Sequence, residues 1–197
     1  MTVKPEKPEI EKYVNEAVHK YINIDETFKY DVLAYVTEDA DAITITDELD
    51  KQLQLVQDDE HPITVKNVGD TDNHKPTNDI YNNKIADDAT VAEAGVDVEG
   101  AVVKYDEETR TLTVDIEDAT AVRGKWVKVT FYARINEELK VADLEYTEVP
   151  ADEEFIPEGE ESRTTPNVGN DPVKSDEPHD GVPNTASYKI KVGNKYK

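Results

Sequence analysis

From Asn184 to Ile190 the chain alternates strictly between two faces. Ala186, Tyr188 and Ile190 share one; Thr185, Ser187 and Lys189 share the other. A period of two marks a β-strand with one face against a core. The pattern recurs. Phe28, Tyr30, Val32, Ala34 and Val36 share a face of one stretch, and Ile43 and Ile45 share a face of Ala42–Asp47. In Trp126–Ile135 the inward set is Val127, Val129, Phe131, Ala133 and Ile135. Ten tyrosines and abundant Val, Ile and Thr fit strands. Many short strands between turn signals predict an all-β chain folded as a β-sandwich.

The remaining segments follow from the same rules. Residues 1–9 are rich in Pro, Lys and Glu and read as a lead-in or linker to a single sandwich domain over 10–197. The start, Met1-Thr2-Val3-Lys4-Pro5, reads as that of an excised module without a signal peptide. Ile10–Val14 is a short strand, and Asn15–Asp25 a connection. Leu53, Leu55, Ile63 and Val65 indicate further strand. Residues 66–95 read as a polar loop with a short helix over Asp87–Ala94. Its oxygen-rich piece, Gly69 to His74, lacks the calcium-loop pattern and its terminal Glu. Ala101–Tyr105 and Arg110–Ile116 form a hairpin about Asp106-Glu107-Glu108-Thr109. Trp126 has outward parity and is expected to cover an end or a neighbouring module. Leu139–Val149 is one more candidate strand. Residues 150–183, acidic and nearly devoid of apolar residues, read as a long surface excursion. No repeat of fixed period is present.

Charge and composition exclude several functions. With 22 basic and 45 acidic residues the formal charge is −23, which disfavours nucleic acid and anionic membranes. No apolar run is long enough to span a bilayer. There is no cysteine, so any unusual stability needs a source other than disulfides. His19, His61, His74 and His179 are scattered without metal-ligand spacing, and no nucleophile motif supports a hydrolase. No cofactor and no metal is expected.

Three polar residues break the inward faces. Lys12 shares parity with Ile10 and Val14, Asp47 with Ile43 and Ile45, and Asn184 with Ala186 and Tyr188. Each alone has a plain explanation: an edge-strand lysine, a turn-capping aspartate, a hydrogen-bonded amide. Together they can satisfy one another in a core, where an orphaned amide costs about 1–3 kcal/mol. Asp31 has the opposite parity and reads as a solvated carboxylate. Glu11 and Glu48 also point outward, and Lys4 and Lys7 lie in the lead-in.

The order Ile10-Glu11-Lys12, then Ile43-Thr44-Ile45-Thr46-Asp47-Glu48-Leu49, then Asn184-Thr185-Ala186-Ser187-Tyr188 resembles a known family. These are the isopeptide-forming domains of Gram-positive surface adhesins and fimbriae, the immunoglobulin-like Cna A-type sandwich of collagen-binding adhesins. The hairpin at Thr109–Ile116 followed by Val127–Ile135 fits the same layout, and the resemblance runs from about Lys7 to Val192. It implies that Lys12 is a nucleophile, Asn184 its electrophile and Asp47 the catalytic acid of one autocatalytic Lys–Asn condensation. Chemistry explains the residue types. Burial disfavours charge, so a dry core can hold a neutral amine beside a protonated carboxyl. That acid can donate to the Asn184 carbonyl oxygen and pass a proton to departing ammonia.

The resemblance implies a structural or stalk module of a cell-wall-anchored adhesin or pilus, extracellular, monomeric, and in contact with neighbouring modules of the same surface protein. It implies a single-turnover modification rather than an enzyme with a separate substrate. The alternative is a ligand-binding adhesin domain whose acidic loops meet a host protein or glycan.

Overall fold

The computed structural model describes residues 9–14, 19–22, 24–69, 95–145, 147–149, 161–168, 179–182 and 184–196. The expected helix over Asp87–Ala94 and the Gly69–His74 piece beyond Gly69 lie outside them, as do Lys4 and Lys7.

Two sheets face each other across one core. The first contains β1 (Ile10–Val14), β3 (Phe28–Val36), β10 (Lys125–Ile135), β6 (Thr64–Gly69) and β7 (Val96–Asp97) in that order, with β5 (Leu53–Val56) also pairing β10. The second runs β2 (His19–Ile22), β12 (Glu161–Val168), β14 (Asn184–Val192), β4 (Ala42–Glu48), β9 (Thr111–Ile116) and β8 (Val102–Asp106), with β15 (Lys195–Tyr196) on β14. Strands β11 (Thr147–Val149) and β13 (His179–Gly181) form a separate antiparallel ribbon. The chain is therefore an all-β sandwich, as its alternation predicts.

The inward residues of β3, β10, β4, β9 and β14 merge into one buried cluster. Their order along each strand is what makes this possible: period-two side chains on both sheets meet and exclude water. The central strand is β10, with β3 on one side and β5 and β6 on the other. Its pairing to β6 shifts at Trp126/Val127.

The outer face of the first sheet departs from expectation. Asp31, read as solvated, is buried, and its carboxylate accepts a hydrogen bond from the Thr130 hydroxyl at 2.6 Å. Glu11 does point away from the core, yet it is buried and accepts from the Tyr13 hydroxyl at 2.8 Å. Trp126 is buried as well, packed with Tyr13 and Leu33 against Tyr35 and Val68. Parity assigned the face correctly, but parity is silent on whether anything covers that face.

Strand content was also underestimated. The connection Asn15–Asp25 contains β2, and the 150–183 excursion contains β12 and β13. Strand β12 pairs β14 antiparallel through Glu161–Thr164, then pairs β2 in parallel through Thr165–Val168. Its sequence is polar and carries Pro166 where the partner changes, so neither alternation nor propensity announces it. Among the described residues of Leu139–Val149, only Thr147–Val149 is strand, and Val141–Asp143 is a 3-10 turn.

Candidate functional site

Lys12 sits mid-way along β1, opposite Val32 of β3. Its side chain crosses the core towards the second sheet. There Asp47 of β4 lies opposite Ala186 of β14, and Asn184 begins β14. The three side chains converge and are closed off from solvent, at 0%, 2% and 2% exposure. Lys12 Nζ lies 2.5 Å from Asp47 Oδ2. The Asn184 amide nitrogen donates to Asp47 Oδ1 at 2.8 Å. One carboxyl therefore bridges the amine and the amide, each oxygen taking one partner.

The surroundings act on the charges. Burial pushes the Lys12 amine down from 10.5 to about 8, against the opposing pull of Asp47. Burial pushes the Asp47 carboxyl up from its usual value, opposed by Lys12 and by the Asn184 amide. Both shifts move the pair towards its uncharged form. Sequence reasoning placed Tyr30 and Phe131 in the core without assigning them to the site. The Lys12 amine lies 4.3 Å from the Tyr30 ring centre and 5.6 Å from that of Phe131, and the two rings are 5.2 Å apart. Their inward parity, on the strand beside β1 and the next strand of the same sheet, was the available signal.

The direction of the Asn184 amide differs from expectation. The Asp47 carboxyl meets the amide nitrogen, not the carbonyl oxygen. The oxygen instead accepts from the backbone N–H of Asp50 at 3.3 Å. Reversing the amide would set its NH2 against that N–H, donor against donor. Asp50 lies in the turn leaving β4, where its carboxylate accepts from the Gln52 backbone N–H at 2.9 Å. Sequence reasoning missed this contact because it rests on a backbone group, which any residue but proline supplies.

Asp31 is not part of the site. It lies on the opposite face of β3, held by Thr130 and by Lys29 at 3.4 Å. Glu48 is exposed on the outer face of β4. Among the described residues no group of three His, Cys, Asp or Glu could hold a metal ion. No described helix is long and apolar enough to cross a membrane.

No family model matches the chain, and no curated protein does either. Solved structures do. BcpA, the major pilin subunit of Bacillus cereus, superimposes with a TM-score of 0.50 at 17% identity, over 98% of this chain and 38% of that one. A variant of the same pilin gives 0.53 at 16% identity over the same shares. The full-length major pilin SpaD of Corynebacterium diphtheriae gives 0.47 at 16% identity, over 96% of this chain and 33% of that chain. The chain thus spans well under half the length of these pilins. At such identities the likeness concerns fold alone: the described residues form a β-sandwich similar to part of the BcpA major pilin.

Proposed function

We propose that this chain is a structural module of a bacterial cell-surface adhesin or pilus, cross-linked internally by an isopeptide bond between Lys12 and Asn184. One observation carries the reading: a single buried carboxyl, Asp47, contacts both the Lys12 amine and the Asn184 amide nitrogen. The fold shared with the BcpA pilin supports the setting, in which the module is extracellular and joins neighbouring modules of a longer surface protein.

The chemistry balances without any outside reagent. The neutral Lys12 amine bonds to Cγ of Asn184, and the Cγ–Nδ2 bond breaks. Asp47 gives its proton to Nδ2 and takes one from the attacking nitrogen, so ammonia leaves and the acid is restored. Folding supplies the proximity, which makes the reaction effectively unimolecular. The site admits no diffusing substrate, so the chain modifies itself once.

Intact mass tests this. The purified chain is expected one ammonia lighter than its sequence, and Lys12→Ala, Asp47→Ala and Asn184→Ala are each expected at full mass. A wild-type chain at full sequence mass would leave the trio as a hydrogen-bonded core cluster. Loss of ammonia from Asp47→Ala would mean that another acid serves.

A further inference from the structure

The Leu49–Asp50 peptide is held at both ends in a way that the cross-link chemistry described so far does not use. Its N–H faces Asn184 Oδ1 at 3.3 Å. Its carbonyl oxygen, that of Leu49, accepts from Arg110 Nε at 3.2 Å. The Leu49 backbone N–H in turn donates to the Arg110 carbonyl at 2.9 Å. Arg110 thus holds the carbonyl of this peptide through its side chain and the N–H of the preceding peptide through its backbone, and Leu49 is fully buried.

Arg110 closes the turn between β8 and β9 in a left-handed backbone conformation. Its φ is +53°, the only positive value at a non-glycine among the described residues. Arginine gains nothing from the left-handed region, which glycine or asparagine enters more readily. An outlier of this kind motivates a functional hypothesis for the residue that adopts it. A guanidinium on the carbonyl end of a peptide draws electron density from its N–H, making that N–H a stronger donor.

We propose that the N–H of Asp50, polarised through its peptide by Arg110, is the oxyanion donor of the Lys12–Asn184 condensation. The inference rests on the isopeptide reading. As the amine attacks Cγ, negative charge develops on Oδ1, the atom that this N–H faces. Asp47 faces the other end of the amide, where the leaving nitrogen needs a proton. The two tasks are divided: Asp50 N–H stabilises the developing charge, and Asp47 moves the proton. A donor already aimed at the oxygen needs no reorganisation during the reaction.

The test is the rate of ammonia loss, followed by intact mass after a short pulse of cell-free synthesis. Asp50→Pro removes the N–H; Asp50→Ala removes the side chain and keeps it. Arg110→Gly accepts the positive φ and removes the guanidinium. Losing one oxyanion donor typically slows a reaction by about 100-fold or more. Asp50→Pro is therefore expected to cross-link on the order of a hundredfold more slowly than Asp50→Ala. Arg110→Gly is expected to be several-fold slower than wild type, with near-ultraviolet circular dichroism showing the native fold in each. Equal rates for Asp50→Pro and Asp50→Ala overturn the donor while leaving the cross-link standing. If Asp50→Pro does not fold, Arg110→Gly decides, and a wild-type rate there overturns the proposal. A wild-type chain that never loses ammonia overturns both readings together.

Discussion

Lys12 and Asp47 each relieve a cost that the other carries. A lone ammonium or carboxylate at this depth would be strongly disfavoured, and a pair sharing one proton avoids isolated charge. The reactive form is the neutral amine beside the neutral acid, which holds that single proton. Above the lowered Lys12 value of about 8 the proton departs, and Asp47 has none to deliver. Below the raised Asp47 value a second proton binds, and the amine becomes an ammonium without a lone pair. The rate of ammonia loss is therefore expected to fall above about 8 and to fall again in acid. Pulsed synthesis into buffers spanning this range, read by intact mass, checks it. A rate that climbs steadily past 8 would mean that amine deprotonation alone limits and that Asp47 moves no proton.

Among the strands, β3 and β10 carry two layers at once. Their inward faces build the core around Lys12; their outward faces hold Asp31, Thr130 and Trp126 in a second buried layer. The layers sit on opposite sides of the same backbone, so they can be perturbed separately. Thr130→Val removes the hydroxyl that donates to Asp31 and leaves a buried carboxylate one bond short. Such a loss is expected to cost about 1–3 kcal/mol in denaturant unfolding. Ammonia loss is expected to be unchanged, because the Asp47 face is untouched. If Thr130→Val abolished it, the two faces would be coupled through β3, and Asp31 would return as a candidate acid.

Across the whole molecule, the proposed bond joins strands that are far apart in the chain. Lys12 and Asn184 are separated by 184 − 12 = 172 positions. Closing a loop of that size restricts the unfolded chain by about 5 kcal/mol in the entropy model used for disulfides. The chain has no cysteine, so a reductant should not remove this stabilisation. Asn184→Ala keeps the Lys12–Asp47 pair but cannot cross-link. It is expected to unfold at least ~4 kcal/mol more easily than wild type, the loss of the amide's hydrogen bonds adding to the entropic term. Denaturant titrations of both chains, with and without reductant, measure the difference. A gap below about 1 kcal/mol would mean that the bond contributes no more than one ordinary hydrogen bond.

Much of this was legible in the sequence, because strand faces are encoded locally. In a strand, a residue's side of the sheet depends only on its position relative to its neighbours. That is why Ile10–Val14 and Phe28–Val36 have the expected limits, and why Lys12, Asp47 and Asn184 have the expected inward parity. The rest depends on partners remote in the chain. Strand β12, polar and bearing Pro166, is a strand only because β14 and β2 lie beside it. Asp31 and Trp126 are buried because of what covers their face, which parity cannot register. The amide of Asn184 turns its nitrogen to Asp47 and its oxygen to Asp50, residues 137 and 134 positions away. Alternation settles that this amide points inward; only the packed strands decide which of its two ends meets the acid, since that choice depends on where a donor and an acceptor already stand.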